Sequence, residues 1–286
     1  MTGSLLSLAA SLTTLIAGPV PPPSFVGDSK LHDIAESFPR SFASRPIGER
    51  MAFISDQLIG TPYVGWTLEQ SITRESCFVT LEGLDCVTFF ETTLGIARAV
   101  RVGPVTPASV LDEVTRTRYR GGHCDGTYLS RLHYTSDWMY DNDLKGTVRV
   151  ITKSLPGAER FNKSIDFMST NAKVYRQLAA LPDLLKPLKE IEAAISRRQT
   201  YFVSMANVAK AEVKLRTGDI IGITTSAPGM DCSHTGIIRM EKGVPHFMHA
   251  SSTQKRVVLD SRLSEYLARH PKATGIMVAR PLEVKR

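Results

Sequence analysis

"LEGLDCVTFFETTLGIARAV", Leu81 to Val100, decides how this chain is read. From Cys86 onward, Cys86, Phe90, Leu94 and Ala97 recur at helical spacing, as do Val87, Phe90 and Leu94. The run therefore predicts an apolar helix that stops near Gly103-Pro104. Its entrance is unusual, because an acid and a thiol, Asp85 and Cys86, stand there together. A helix cysteine is ordinarily a small hydrophobe that fills core. At the first turn, exposed N–H groups and the positive end of the helix dipole favour a thiolate instead. Asp85 is of the residue type that caps a helix start.

Outward from this helix the chain divides into three stretches. Lys30 to Leu58 reads as helical, with Ile34, Phe38 and Phe42 on one face and Gly60 as the stop. "GTPYVGWTLE" follows as a loop with a short extended piece. The middle, about 106–211, reads as mostly helical. "ASVLDEVTRTRYR" and "LPDLLKPLKEIEAAISRRQ" are amphipathic, with Pro187 kinking or interrupting the second. The last third changes character. "EVKLRTGDIIGITT", "HTGIIRMEKG", "PHFMHASS", "KRVVLD" and "ATGIMVARPLE" are short β-rich runs between turn residues, the pattern of an antiparallel meander. Helices first and a small antiparallel sheet after make an α+β layout.

The chain has 286 residues, 42% of them hydrophobic and 22% charged, enough to bury a sizeable core. Its formal net charge of +7 suits an anionic partner. The basic residues are dispersed, with no Lys/Arg run and no zinc-finger or helix-turn-helix pattern, so nucleic acid is not the expected partner and an anionic cell-wall polymer fits. The apolar run from Leu5 to Ala17 has the length of a secretory h-region and is too short to span a bilayer. With the Pro19 to Ser24 linker it makes 1–24 a leader and 25–286 one domain, exported to the periplasm or beyond, monomeric and not inserted in the membrane. No Lys or Arg precedes the run, so a surface helix or a mis-set start codon gives the same pattern. Four cysteines, 77, 86, 124 and 232, lack CxxC pairing and so argue against zinc with His123 or His234. A Cys77–Cys124 disulfide is open in an oxidising compartment.

A nucleophilic cysteine needs a base and a group that orients the base. His234 in "DCSHTGII" stands at the mouth of a strand, and His249 in "FMHASS" on the next one. Adjacent antiparallel strands present side chains on one face within hydrogen-bond reach. His246, three residues earlier, is second choice. Taken singly, each residue is more often core or surface than catalyst; together they form the set of a cysteine hydrolase.

"GTPYVGW", "LDCVTFFE", "LRTGDIIGI", "SHTGII" and "FMHAS", in that order over Gly60 to Ser251, resemble the NlpC-type superfamily of papain-like cell-wall cysteine peptidases. Val87-Thr88 stands where that superfamily has Ser-Gly, Val64-Gly65-Trp66 where it has Trp-Gly-Gly, and about a hundred residues are inserted before the sheet. With "DGTYLSRLHYTSDW", Asp125 to Trp138, these departures resemble the N-acetylmuramoyl-L-alanine amidase-like branch. The resemblance implies a nucleophile helix packed on a small antiparallel sheet, with the long insertion helical. It implies hydrolysis of an amide in peptidoglycan or a soluble muropeptide, between muramic acid (the anhydro form included) and L-alanine, with no cofactor and no metal.

Carried over by position, Cys86 is the nucleophile, His234 the general base and acid, and His249 the orienter. Tyr63 borders the oxyanion, and Asp85 holds a polar group of the substrate or simply caps the helix. In the insertion, Arg131 would pair with a substrate carboxylate, Tyr134 and Trp138 would stack on a sugar, and Asp137 would take hydroxyls or an amine; each reads equally as part of a buried structural network. Ser233 sits beside the base. Three rivals stay open: a γ-D-glutamyl-diamino acid endopeptidase with the same residues, a non-catalytic murein-binding module, and an acyltransferase or lipid hydrolase on a related fold.

Overall fold

The computed structural model describes residues 19–285. Of the segment 1–24 read above as a leader, residues 1–18 lie outside the described residues, and Ser24 opens the first strand. The chain enters through a short strand, β1 (Ser24–Val26), which pairs in parallel with β2 (Phe78–Thr80). Between them, α1 (Asp28–Glu36) buries Leu31 and Ile34, and α2 (Ile47–Gln57) buries Met51 and Ile54.

The decisive helix, α3 (Cys86–Val102), starts at the thiol itself. Asp85 is its N-cap. Its carboxylate accepts from the N–H groups of Val87 and Thr88 at 3.0 and 2.7 Å, and Thr88 Oγ1 accepts from the Asp85 N–H at 2.8 Å. This reciprocal capping box gives Thr88 a structural reason to be there. Every residue from Thr88 to Val100 is buried, so α3 is the central helix of the molecule. Against it lies α4 (Pro107–Arg118). A Cβ at Gly95 would come within 2.5 Å of Val114 Cγ2, so the glycine lets the two helices close.

The insertion, expected to be mostly helical, also contains strands. Besides α5 (Thr135–Leu144) and α6 (Leu185–Arg197) it holds β3 (Val148–Val150), β4 (Ala158–Arg160) and β5 (Tyr201–Ser204). Three- and four-residue strands carry too few alternations to stand out beside amphipathic helices. Pro187 does not kink α6. It lies in the first turn, where a missing N–H costs no intrahelical bond.

After the insertion come β6 (Ile220–Thr225), β7 (Cys232–Glu241), β8 (Val244–Ser251), β9 (Arg256–Arg262), α7 (Leu263–Ala268) and β10 (Ala273–Pro281). One antiparallel sheet runs β4-β5-β10-β6-β7-β8-β9, and β3 joins β10 on the side that β5 occupies. β7 and β8 are joined through Lys242-Gly243, both at positive φ (49° and 83°), as a tight two-residue hairpin requires. Strand alternation then sorts the sheet into two faces. Ile220, Ile237, Met248 and Ala250 pack with Phe89, Phe90 and Leu94 of α3. Ile221, Ile223, Ile238 and Phe247 pack with Leu263 and Leu267 of α7. The insertion has its own cluster, around Tyr128, Tyr134, Leu184 and Leu188. Among the described residues, no helix is long and apolar enough to cross a membrane.

Candidate active site

Cys86 is half-buried at the head of α3. It meets β7 one residue from His234, because the Thr235 hydroxyl donates to the Cys86 carbonyl at 2.8 Å. A register shift between β6 and β7 falls at this point, between Ile223 and Thr224, and such irregularities re-aim side chains. Burial, then the Asp85 charge, push the Cys86 thiol up to about 11. The hydroxyl and N–H of Thr235 and the N–H of Cys86 itself pull the other way without prevailing. The helix start therefore does not hold a resting thiolate; the thiol is protonated until a base takes its proton. Tyr63 is bridged to Leu84, next to Asp85. Burial first, then Cys86 and Asp85, push its phenol up to about 12, so it remains a hydrogen-bond donor at neutral pH.

His234 and His249 share the sheet face covered by α7. His234 Nε2 and His249 Nδ1 are 2.7 Å apart, with the rings perpendicular. Tyr266 of α7 packs against both rings, and Cys86 is near enough that a thiolate there raises the Tyr266 phenol further. His249 is 2% exposed, and its Nε2 lies 3.7 Å from Asp260 Oδ2. His246 is set aside as a base, since its Nδ1 lies 3.0 Å from the Asp260 carbonyl and supports β9. Burial is the main reason that both imidazoles stay neutral. It brings His234 down to about 3, helped by His249 and His270, and His249 to about 4 against the pull of Asp260.

That neutrality has a consequence for stability. An unfolded histidine binds its proton near pH 6.5. The folded pair binds its first proton, as a unit, only at lower pH. The unfolded state therefore holds more protons below about pH 6.5, and stability that is complete above that value is lost as pH falls toward about 4. Each such proton is worth about 1.4 kcal/mol per pH unit. Urea denaturation at neutral and mildly acidic pH should show this slope, and His249→Gln should flatten it. An unchanged slope in the variant would mean that solvent already reaches the imidazoles.

Two cavities flank this cluster. One, of about 370 Å³, is walled by Tyr63, Asp85, Trp66, Tyr128, Arg131 and Tyr175. The other, of about 600 Å³, is walled by Ser233, His234, His249, Gln254, Asp260 and Tyr266. Arg131 lines the first cavity but is already committed: 5% exposed, it binds Glu69 at 2.7 Å and faces Glu75 at 3.7 Å. It is not a free receptor for a substrate carboxylate. Tyr134, Asp137 and Trp138 do not reach either cavity. The Tyr134 hydroxyl donates to Glu192 at 2.7 Å and accepts from the Met168 N–H. Asp137 is clamped by Arg120 and Arg198. Trp138 packs edge-on to Phe90 of α3, 2% exposed. These three knit the insertion to the core. Trp66 is an exposed aromatic in the lining of the first cavity, 59% accessible and held at a left-handed φ of 65°. Sequence reasoning also missed Thr235, Asp260 and Tyr266, which look like ordinary strand and helix residues.

All four cysteines are unpaired thiols, Cys77 and Cys124 included. Among the described residues, no three His, Cys, Asp or Glu side chains come together as a metal ion would need.

The sequence profile of the N-acetylmuramoyl-L-alanine amidase-like family (AmiA-like) matches residues 53–276, a span that contains every element of the cluster. The chain belongs to this family. A structure of an N-acetylmuramoyl-L-alanine amidase from Bacteroides uniformis is similar, with 33% identity over 83% of this chain and 99% of that one and a TM-score of 0.75. A candidate xylanase from Bacteroides fragilis shares 32% identity over 79% and 98%, with a TM-score of 0.69. A protein from Legionella pneumophila, 21% identical over 89% and 94% with a TM-score of 0.64, shares the fold. No match is found among curated proteins. In this member of the amidase-like family, then, the thiol, the two imidazoles and Tyr63 lie at the head of α3 and the adjoining ends of β7 and β8.

Proposed function

We propose that this protein is a cysteine hydrolase that cleaves the amide between N-acetylmuramic acid, in its open or anhydro form, and L-alanine in peptidoglycan fragments, on a papain-like core. The observation that carries this is the pair of neutral imidazoles 2.7 Å apart, reached from Cys86 through Thr235. Family membership and the Bacteroides uniformis amidase support the choice of bond. A glycosidase would need two carboxylates free to act across the cleft. Here Asp85 caps α3, while Glu69 and Glu91 are tied to arginines.

His234 takes the Cys86 proton as sulfur attacks the lactoyl carbonyl carbon, which removes the need for a standing thiolate. The Cys86 N–H and the Tyr63 hydroxyl receive the oxyanion. His234 then gives the proton to the departing L-alanine nitrogen as the C–N bond breaks, leaving a thioester. Water, losing a proton to His234, attacks the thioester, and the C–S bond breaks to release the muramoyl carboxylate. The cavity that holds Trp66 offers aromatic faces for the sugar; the one that holds Ser233 and Gln254 offers polar groups to the stem peptide. The polymer lies in the cell envelope, and a leader over 5–17 would carry a monomeric chain there.

Incubation with a defined disaccharide-tetrapeptide and mass spectrometry of the products tests the choice of bond. Free disaccharide and an intact peptide beginning at L-alanine are expected. Release of a fragment beginning at the diamino acid would make the protein an endopeptidase. No cleavage of either the open or the anhydro form would point to a binding module.

A further inference from the structure

We propose that Asp260 is a positioning residue for His234, acting through His249, and that it fixes which nitrogen of His234 is basic. The proposal rests on the reading of Cys86 and His234 as nucleophile and base. It starts from β9, where one residue of β8 between His246 and Met248 faces two of β9, Asp260 and Ser261. At this bulge Asp260 Oδ1 accepts from the Ser261 N–H at 2.7 Å and from Arg269 Nη2 at 2.6 Å. Oδ2 is left toward His249 Nε2 at 3.7 Å, with Gln254 Nε2 at 3.3 Å. His249 Nε2 is buried and makes no hydrogen bond, so the Asp260 carboxylate is the acceptor it faces.

One proton assignment then propagates along the chain of contacts. The Asp260 carboxylate only accepts, so facing it at 3.7 Å favours the hydrogen of a neutral His249 on Nε2. Its Nδ1 is therefore a lone pair, and the hydrogen shared with His234 across 2.7 Å belongs to His234 Nε2. That leaves His234 Nδ1 as the basic nitrogen, the one atom of the ring able to take the Cys86 proton. Once it does, the imidazolium is stabilised by the His249 lone pair and, beyond it, by Asp260, among the described residues the only carboxylate lining this cavity. The other titratable and charged groups around His249 are Tyr266 and, beyond it, His270 and Arg269 on the α7 side, with Cys86 on the α3 side. None of them is hydrogen-bonded to Nε2.

The test compares Asp260→Asn with Asp260→Glu in the full chain. In Asp260→Asn, kcat on the disaccharide-tetrapeptide is expected to fall about 10- to 100-fold at a KM within about twofold. This is less than the loss on removing a group that touches the base directly. The acidic limb of the pH profile is expected to change with it, and Asp260→Glu should restore most of the rate. Nitrogen-15 spectra of the histidines in the free protein read the same effect without substrate. The wild type should show His234 protonated at Nε2 and His249 at Nε2, and Asp260→Asn a mixture of tautomers. Unchanged tautomers in a folded Asp260→Asn variant, or a rise in KM at constant kcat, would overturn the proposal. If the wild type fails to cleave the muropeptide while the tautomers respond as expected, the proposed reaction fails and the role of Asp260 in ordering the imidazoles stands.

Discussion

Replacing Arg118 by alanine is expected to lower the unfolding free energy by about 3–5 kcal/mol, the range for breaking one partner out of a buried ion pair. Arg118 ends α4, and its Nε meets Glu91 Oε2 of α3 at 2.6 Å, with both side chains 1% exposed. Its Nη1 also donates to the Phe78 carbonyl at 2.5 Å, so one guanidinium ties α3, α4 and β2 together. Burial pushes the Glu91 carboxyl up, and Arg118 opposes that push. Without Arg118, Glu91 must either stay charged and unpaired or take up a proton. A group whose folded pKa is raised destabilises most at high pH, so the deficit of the variant should be smaller in mild acid than at neutral pH. Urea titrations at both conditions measure this. A double Glu91→Met, Arg118→Met variant should recover much of the loss, because it leaves no orphaned charge. A loss below about 1 kcal/mol for Arg118→Ala would place the pair with ordinary surface ion pairs.

The same pair lies under the site. Glu91 and Arg118 form part of the wall below Tyr63, Asp85 and Trp66. Their energetic job is to hold the head of α3 against the first cavity, and this distinguishes them from the groups that would meet substrate.

Most of what positions the site was legible in the sequence, and the reasons differ by element. α3 was readable to its first residue, since an acid before a long apolar run is a cap signal and Thr88 completes it. The β6 to β9 meander, with β10 beside β6, was readable because its strands are β-rich runs of six to ten residues between turn residues. β1 to β5 were not, being three or four residues each, and the parallel β1–β2 pair has no local signature at all. Cys86, His234 and His249 could be singled out because they are reactive residue types at a helix start and on two adjoining strands, which the fold brings together. Asp260 could not. An aspartate ending "KRVVLD" looks like any polar strand residue, and only the bulge beside Ser261 and the Arg269 contact show what it faces. Tyr134, Asp137 and Trp138 show the converse. A dense run of hydrogen-bonding aromatics is what a pocket wall and a buried polar network have in common. Composition does not say which way the side chains point. The thiolate expectation failed for a related reason: the dipole and the N–H groups were visible in the sequence, but the burial that outweighs them was not.

Turnover of the disaccharide-tetrapeptide by Cys86→Ala, with its products weighed beside those of the wild type, tests the central claim most directly. Cys86 touches solvent only partly, and Asp85 and Thr88 cap α3 without help from its side chain, so the variant should keep its fold by circular dichroism. If sulfur forms the thioester, turnover should drop by at least about 10⁴-fold, to background, as when an acyl-transfer enzyme loses its nucleophile. Disaccharide release at a rate near that of the wild type from a folded Cys86→Ala protein would contradict the account.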